Sequence, residues 1–202
     1  MILRRLFSGK RSGFYVDVGA HHPRRFSNTN FFYKRGWRGI NIEPSPEGAN
    51  IFRRQRRRDI NLQAGVAEHP GLVTYYCMDD SALNTFDAEL LRQRLDTTGY
   101  RLVDQLEIKV DRLADILKRH MPPAQKIDFI SIDVEGFDLQ VLKSNDWKVF
   151  RPLCVLVETH CGSLDSVLRG DVYKFMRERD YELYSKTVNT LIFRVTERSE
   201  LR

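Results

Sequence analysis

Cysteine is scarce in this sequence and does not pair: Cys77, Cys154 and Cys161 are odd in number and form no C-x-x-C spacing. That argues against a disulfide framework and a structural zinc site, and a reducing, cytoplasmic setting is expected. No stretch reaches the roughly 18 uncharged apolar residues that cross a bilayer. The opening Met1-Ile2-Leu3-Arg4-Arg5-Leu6-Phe7 has no apolar run long enough for a signal peptide. With 12 glycines and 7 prolines in 202 residues, the composition is neither collagen-like nor low-complexity. Phosphate-cradling motifs are missing too, both the full G-x-G-x-x-G and the P-loop G-K-[ST], so no pyrophosphate clamp is expected.

What is present fits one folded domain. Hydrophobic residues make up 42% and aromatics 11% of the chain, enough for a real core with little left for a second one. The expected domain spans 1–202, with its core over 13–195. Lysine and arginine outnumber acids 33 to 27, a formal net charge of +6, and Arg53-Arg54-Gln55-Arg56-Arg57-Arg58 concentrates that charge. Such a run can attract an anionic substrate or an anionic membrane surface. The residues favour a solvated helix end whose arginines complement the helix dipole, because no aromatics interleave with them as single-strand stacking requires.

The elements read strand, helix, strand, helix, which is how a parallel sheet begins. Residues 13–19 form a β-rich run ending in glycine. A short helix follows, capped by Ser27 or Asn28 and ended by Gly36 in the left-handed conformation. Residues 38–44 give a second strand, 47–57 a helix carrying the arginines, 60–66 a third strand and 72–77 a further one. The stretch 78–105 is polar and weakly patterned, as expected of a helical insertion or lid. Residues 106–110 alternate as a short strand, and Asp111 is placed to cap an amphipathic helix over 112–118. Beyond it come a buried strand within 128–136, a helix from Leu139, and an almost continuous apolar strand at 153–158 suited to a position covered on both faces. A helix at 171–179 and a hairpin around Val188-Asn189 close the domain.

In an open parallel sheet, ligands bind beyond the carboxyl ends of the strands. Four apolar strands here end in acids or glycine: Asp17 with Gly19, Glu43, Asp133 with Glu135, and Glu158. One such acid often does no more than cap the next helix; four on one rim mark a site. Gly19 lets a ligand approach the backbone closely. Glu43, 24 residues beyond that glycine, is placed to accept hydrogen bonds from two ribose hydroxyls. A ribose-bearing ligand without a pyrophosphate clamp suggests S-adenosylmethionine.

Three motifs occur in order: Val16-Asp17-Val18-Gly19-Ala20-His21-His22-Pro23, Gly36-Trp37-Arg38-Gly39-Ile40-Asn41-Ile42-Glu43-Pro44 and Ile132-Asp133-Val134-Glu135-Gly136. Through them the sequence resembles the FkbM-type S-adenosylmethionine-dependent methyltransferases over most of its length. The resemblance implies an α/β class I methyltransferase fold, Rossmann-like, with a mostly parallel central sheet of about seven strands, a C-terminal antiparallel hairpin and helices on both faces. It also implies O-methylation of a hydroxyl on a saccharide or natural-product acceptor. Carried onto these positions, Asp17 and Gly19 form the cofactor loop with Ala20 and His21 lining it. Glu43 binds the ribose, Gly65 and Val66 lie near the adenine, and Asp133 faces the methionine end or the acceptor. His21-His22-Pro23 stand where many methyltransferases carry further glycines.

Methyl transfer needs an in-line approach of the acceptor oxygen to the sulfonium methyl. A sugar hydroxyl is a poor nucleophile, so a base within hydrogen-bond reach helps. Asp133, Glu135 and His160 are the candidates, with His160 two residues after Glu158 and on its face if the strand runs on. The same acids with His160 can hold magnesium or manganese, but their spacing forms no recognised ligand signature, and a divalent cation is not the favoured reading. The segment 79–86 is expected to line the acceptor pocket, with Ser81, Asn84 and Glu158 as substrate-binding residues. Two rival readings are a nucleic-acid methyltransferase and a non-catalytic S-adenosylmethionine-binding domain. The first lacks an N-P-P-Y-like motif and a cysteine in a P-C context, so nucleic acid is not an expected partner. Intact Asp17, Gly19 and Glu43 argue against the second.

Overall fold

The β-branched and aromatic run Phe14–Val18 forms β1, buried at every position in the computed structural model, which describes residues 2–160 and 162–196. Cys161 lies outside the described residues. In chain order the elements are α1 (Ile2–Leu6), β1, α2 (Asn30–Lys34), β2 (Arg38–Glu43), α3 (Pro46–Gln55), β3 (Ile60–Gln63), β4 (Gly65–Val66) and β5 (Gly71–Met78). A 3-10 turn at Ser81–Leu83 leads to α4 (Ala88–Thr97), β6 (Leu102–Asp111), α5 (Leu113–His120), β7 (Phe129–Ile132) and α6 (Asp138–Ser144). The described chain closes with β8 (Cys154–Glu158), α7 (Leu164–Arg169), α8 (Asp171–Arg177), β9 (Tyr181–Lys186) and β10 (Thr190–Val195).

Seven strands make one sheet in the order β3-β2-β1-β7-β8-β10-β9. The first five run parallel, and β10 is antiparallel to both β8 and β9. This is the mostly parallel, Rossmann-like α/β sheet expected from the sequence, with its C-terminal hairpin. One face buries Leu113, Ile116, Leu142 and Met176 from α5, α6 and α8. The other packs Leu3, Phe32 and Trp37 against Phe129 and Leu156. Strand order reverses between β1 and β7, the point where such sheets open a crevice at their carboxyl ends. Among the described residues no helix is long and apolar enough to cross a membrane.

Several local expectations need correction. The third strand does not continue from 60 to 66. Ala64 N donates to Glu43 O at 3.3 Å, after which the chain leaves the main sheet and β4 pairs with β6 in a second sheet ordered β4-β6-β5. That sheet makes β6 a ten-residue strand rather than a short one, zipped antiparallel to β5 from Gly71–Val110 to Met78–Leu102. Thr29, and not Ser27 or Asn28, occupies the N-cap of α2, although Ser27 Oγ accepts from Asn30 N at 3.1 Å. Gly36 does take the left-handed turn, at φ +92°. Asp111 ends β6 instead of capping α5; its carboxylate accepts from Arg112 N and pairs with Arg119.

The arginine run is only partly solvated. Arg53, Arg54, Arg57 and Arg58 face water, whereas Arg56 is 1% exposed. The reason is local: α3 ends at Gln55, so Arg56 leaves the helical face and turns inward. Its guanidinium donates to Tyr15 Oη (3.0 Å), Pro23 O (2.6 Å) and Ser27 Oγ (3.2 Å). Asp59 Oδ2, 3.7 Å from Arg56, accepts from Tyr15 Oη and Asn41 Nδ2, and its Oδ1 accepts from Gly39 N. The network joins β1, β2 and the loop before α2.

Asp17 is a buried ionisable group inside β1 itself. Thr29 Oγ1 donates to its Oδ2 at 2.7 Å, but burial dominates and raises its carboxyl to about 7.

Removing one partner of a buried ion pair costs about 3–5 kcal/mol. Arg56→Met is therefore expected to lower the unfolding free energy by that order, while Arg57→Met stays within about 0.5 kcal/mol of wild type in the same urea titrations. Between pH of about 4 and about 7 the folded chain keeps a proton on Asp17 that the unfolded chain has lost, so this group makes stability fall as pH rises through that window. Unfolding free energies across it should decline in the wild type relative to Asp17→Asn and run parallel above it.

Candidate active site

The carboxyl ends of β1, β2, β7 and β8 border a cavity of about 350 Å³. Of the residues singled out in the sequence, Asp17, Gly19, Ala20, His21, Glu43, Gly65, Val66, Ser81, Asn84, Asp133, Glu135 and Glu158 line it; His160 does not.

Glu43 ends β2 and is 4% exposed. Its Oε2 accepts from His21 N at 2.7 Å and its Oε1 from Ser45 N at 2.9 Å. Burial raises the carboxyl, and these two N–H groups oppose the rise. A Cβ at Gly48 would meet Glu43 Cγ at 2.8 Å, so the bare first turn of α3 makes room for the acid. Each carboxylate oxygen has a second lone pair for another donor.

Gly19 lines the cavity and is also closed in by the protein itself. Its φ is +73°, and a Cβ there would lie 1.8 Å from Asp133 O. The end of β7 alone therefore demands glycine here. Two residues on, His21 also has positive φ, at +51°, and its Nε2 sits 3.2 Å from Ser81 Oγ. Burial lowers the imidazole pKa, favouring the neutral ring. With the Arg25–Asp80 ion pair (3.2 Å), this contact clasps the loop after β1 to the segment 79–86.

Of that segment, Ser81, Ala82, Leu83, Asn84 and Phe86 reach the cavity. Asp79, Asp80 and Thr85 do not line it, because they are used structurally. Asp79 Oδ1 accepts from Arg101 N, Asp80 Oδ1 accepts from Ala82 N, and Thr85 exchanges backbone hydrogen bonds with Tyr76. Phe86 stacks near Tyr75, with centroids 4.7 Å apart. A Cβ at Gly65 would meet Phe86 Cζ and Val110 Cγ1, each at 2.7 Å, so this glycine lets the aromatic wall close.

Asp133, Glu135 and Glu158 form an acidic corner. Burial, then repulsion from Asp133, Glu135 and Asp138, pushes the Glu158 carboxyl far up, and burial with the Glu135 charge raises Asp133. Glu158 Oε2 is buried without a hydrogen-bond partner. Glu135, at φ +51°, is held from two sides: Thr85 Oγ1 donates to its carbonyl at 2.6 Å, and Arg94 pairs with its carboxylate. His160 lies beyond the end of β8 with its side chain 53% exposed. Its Nε2 is 3.7 Å from Glu158 Oε2 and 3.9 Å from Glu135 Oε2, so it flanks the acids from outside the cavity. Ligand atoms of Glu135, Glu158 and His160 lie within 4.8 Å of one another; Asp133, expected with them, is not in that group.

Sequence reading missed Arg94, whose Nη1 also donates to Leu83 O at 2.7 Å and so ties α4 to both the cavity wall and the acidic corner. An arginine on an amphipathic helix carries no signal for this. It also missed Asn28, which lines the cavity and donates to Ser131 Oγ at 3.1 Å, and the Asn189 and Thr190 corner supplied by β10. These come from loops and a distant hairpin that only the sheet order brings to the rim.

No curated protein matches the chain. The family model described as "Methyltransferase FkbM domain" matches residues 17–183, a span from β1 into β9 that takes in the whole acidic rim. With most of its length matched, the chain belongs to the FkbM-domain methyltransferase family.

Proposed function

We propose that the chain takes its methyl group from S-adenosylmethionine and delivers it to a hydroxyl oxygen of a saccharide or natural-product acceptor. The observation that carries this reading is Glu43, a buried carboxylate fixed by the His21 and Ser45 N–H groups on the cavity wall. A ribose diol needs two neighbouring acceptor oxygens, and a carboxylate already held by backbone offers them with little ordering left to do. Other parts of the wall suit the same ligand. Val66, Tyr75 and Phe86 offer apolar surface for a base, and Asp17 suits a positively charged methionine end.

S-adenosylmethionine supplies the electrophilic methyl carbon; the chain supplies position and a place for the proton. Holding the acceptor oxygen in line with the methyl gives much of the rate. Asp133 is assigned as the proton acceptor, since it directly follows β7 on the cavity wall while Glu135 is engaged by Arg94 and His160 stands outside the lining. Ser81, which His21 clasps, and Asn84 line the same cavity and border the acceptor.

Calorimetry with S-adenosylhomocysteine tests the cofactor assignment. Glu43→Ala should weaken binding by about 1.5–3 kcal/mol, the range for hydrogen bonds to a charged group; unchanged affinity would remove Glu43 from the ribose site. Asp133→Asn keeps the side-chain size and should reduce turnover about 100-fold or more with the fold intact by circular dichroism. Methylation at the wild-type rate would end its role as the base.

A further inference from the structure

We infer that Glu135, Glu158 and His160 form a divalent-cation site beside the cavity, of the oxygen-rich kind that takes Mn²⁺ or Mg²⁺. Three observations point to it. Glu158 Oε2 has no N–H or hydroxyl donor on it although its side chain is only 10% exposed; the group that its carboxyl meets is another acid, Asp133, and a buried carboxylate oxygen without a fixed donor calls for a cation. Donor atoms of all three residues lie within 4.8 Å of one another, close to the spacing around a single ion. The third is charge: Asp133, Glu135 and Glu158 converge, and Arg94 answers Glu135 alone.

The donor set decides the kind of ion. Two carboxylates and one imidazole, with no thiolate in the group, suit a hard cation that also keeps waters. His160 is half exposed, so the group is open on one side, leaving coordination positions for water or an acceptor oxygen. An ion there would lower the pKa of an acceptor hydroxyl at the edge of the cavity; that role rests on the methyl-transfer reading, whereas the site itself does not.

The test is a Mn²⁺ titration of the full chain, followed through the electron paramagnetic resonance of the free ion. One submillimolar site per chain is expected. Glu158→Gln and, separately, His160→Asn should each weaken it more than about tenfold, while His120→Asn, exposed on α5, leaves it unchanged. His160 is at the surface, so its variant stays informative even if Glu158→Gln misfolds. Mg²⁺ should compete for the bound Mn²⁺. Absence of a stoichiometric site in the wild type, or binding unaltered in both variants, overturns the proposal. So does displacement of Mn²⁺ by saturating S-adenosylhomocysteine, which would give the acids to the methionine ammonium. Mn²⁺ bound to protein that takes up no S-adenosylhomocysteine would instead retire the cofactor reading and leave the metal site standing.

Discussion

Two backbone N–H groups meet on the carboxylate of Glu43, one from the loop after β1 and one from the loop after β2, and the rim of the sheet depends on that meeting. Neither loop has a ladder of its own to satisfy its amides, and a buried acid without donors would be strongly unfavourable. Each side therefore needs the other. The loop after β1 is fastened again further along, where Arg56 holds Pro23 O and Ser27 Oγ from beneath. His21, at the first anchor, and Arg25, within the second, are the residues that reach across to Ser81 and Asp80. The cavity is thus shaped mainly by polar groups that are spoken for by the protein itself, and the exceptions, such as Glu158 Oε2, stand out against that background.

The parts of the fold that could be read from the sequence are those where a local pattern and the sheet agree. Short apolar runs ending in Asp17, Glu43, Asp133 and Glu158 became parallel neighbours with their carboxyl ends on one edge. Once strands are parallel, their ends share a rim, and that is why most of the site could be named without knowing any contact. What could not be read was the fate of residues whose partners are far away in the chain. Arg56 looks like its neighbours Arg57 and Arg58; the partners that receive it once α3 ends, Tyr15, Pro23 and Ser27, lie 29 to 41 positions earlier. The run 60–66 reads as one strand, and although Ala64-Gly65 weakens it, nothing local says which sheet its second half joins. Gly19 marks a close approach, and one approaching group is Asp133 O, which no local pattern reveals.

That change of sheets also leaves β5 on the outside of the second sheet, paired along one side with β6. On its other side Tyr76 exchanges both of its backbone hydrogen bonds with Thr85, at 2.8 and 3.1 Å. Thr85 belongs to the segment that forms the cavity wall, so the wall doubles as a cover for an open strand edge. Any movement large enough to swing that wall aside strips Tyr76 of both partners and presents bare strand backbone to solvent and to other chains. Access to the cavity and resistance to edge-to-edge self-association are therefore set by the same few residues, and a change that loosens one loosens the other.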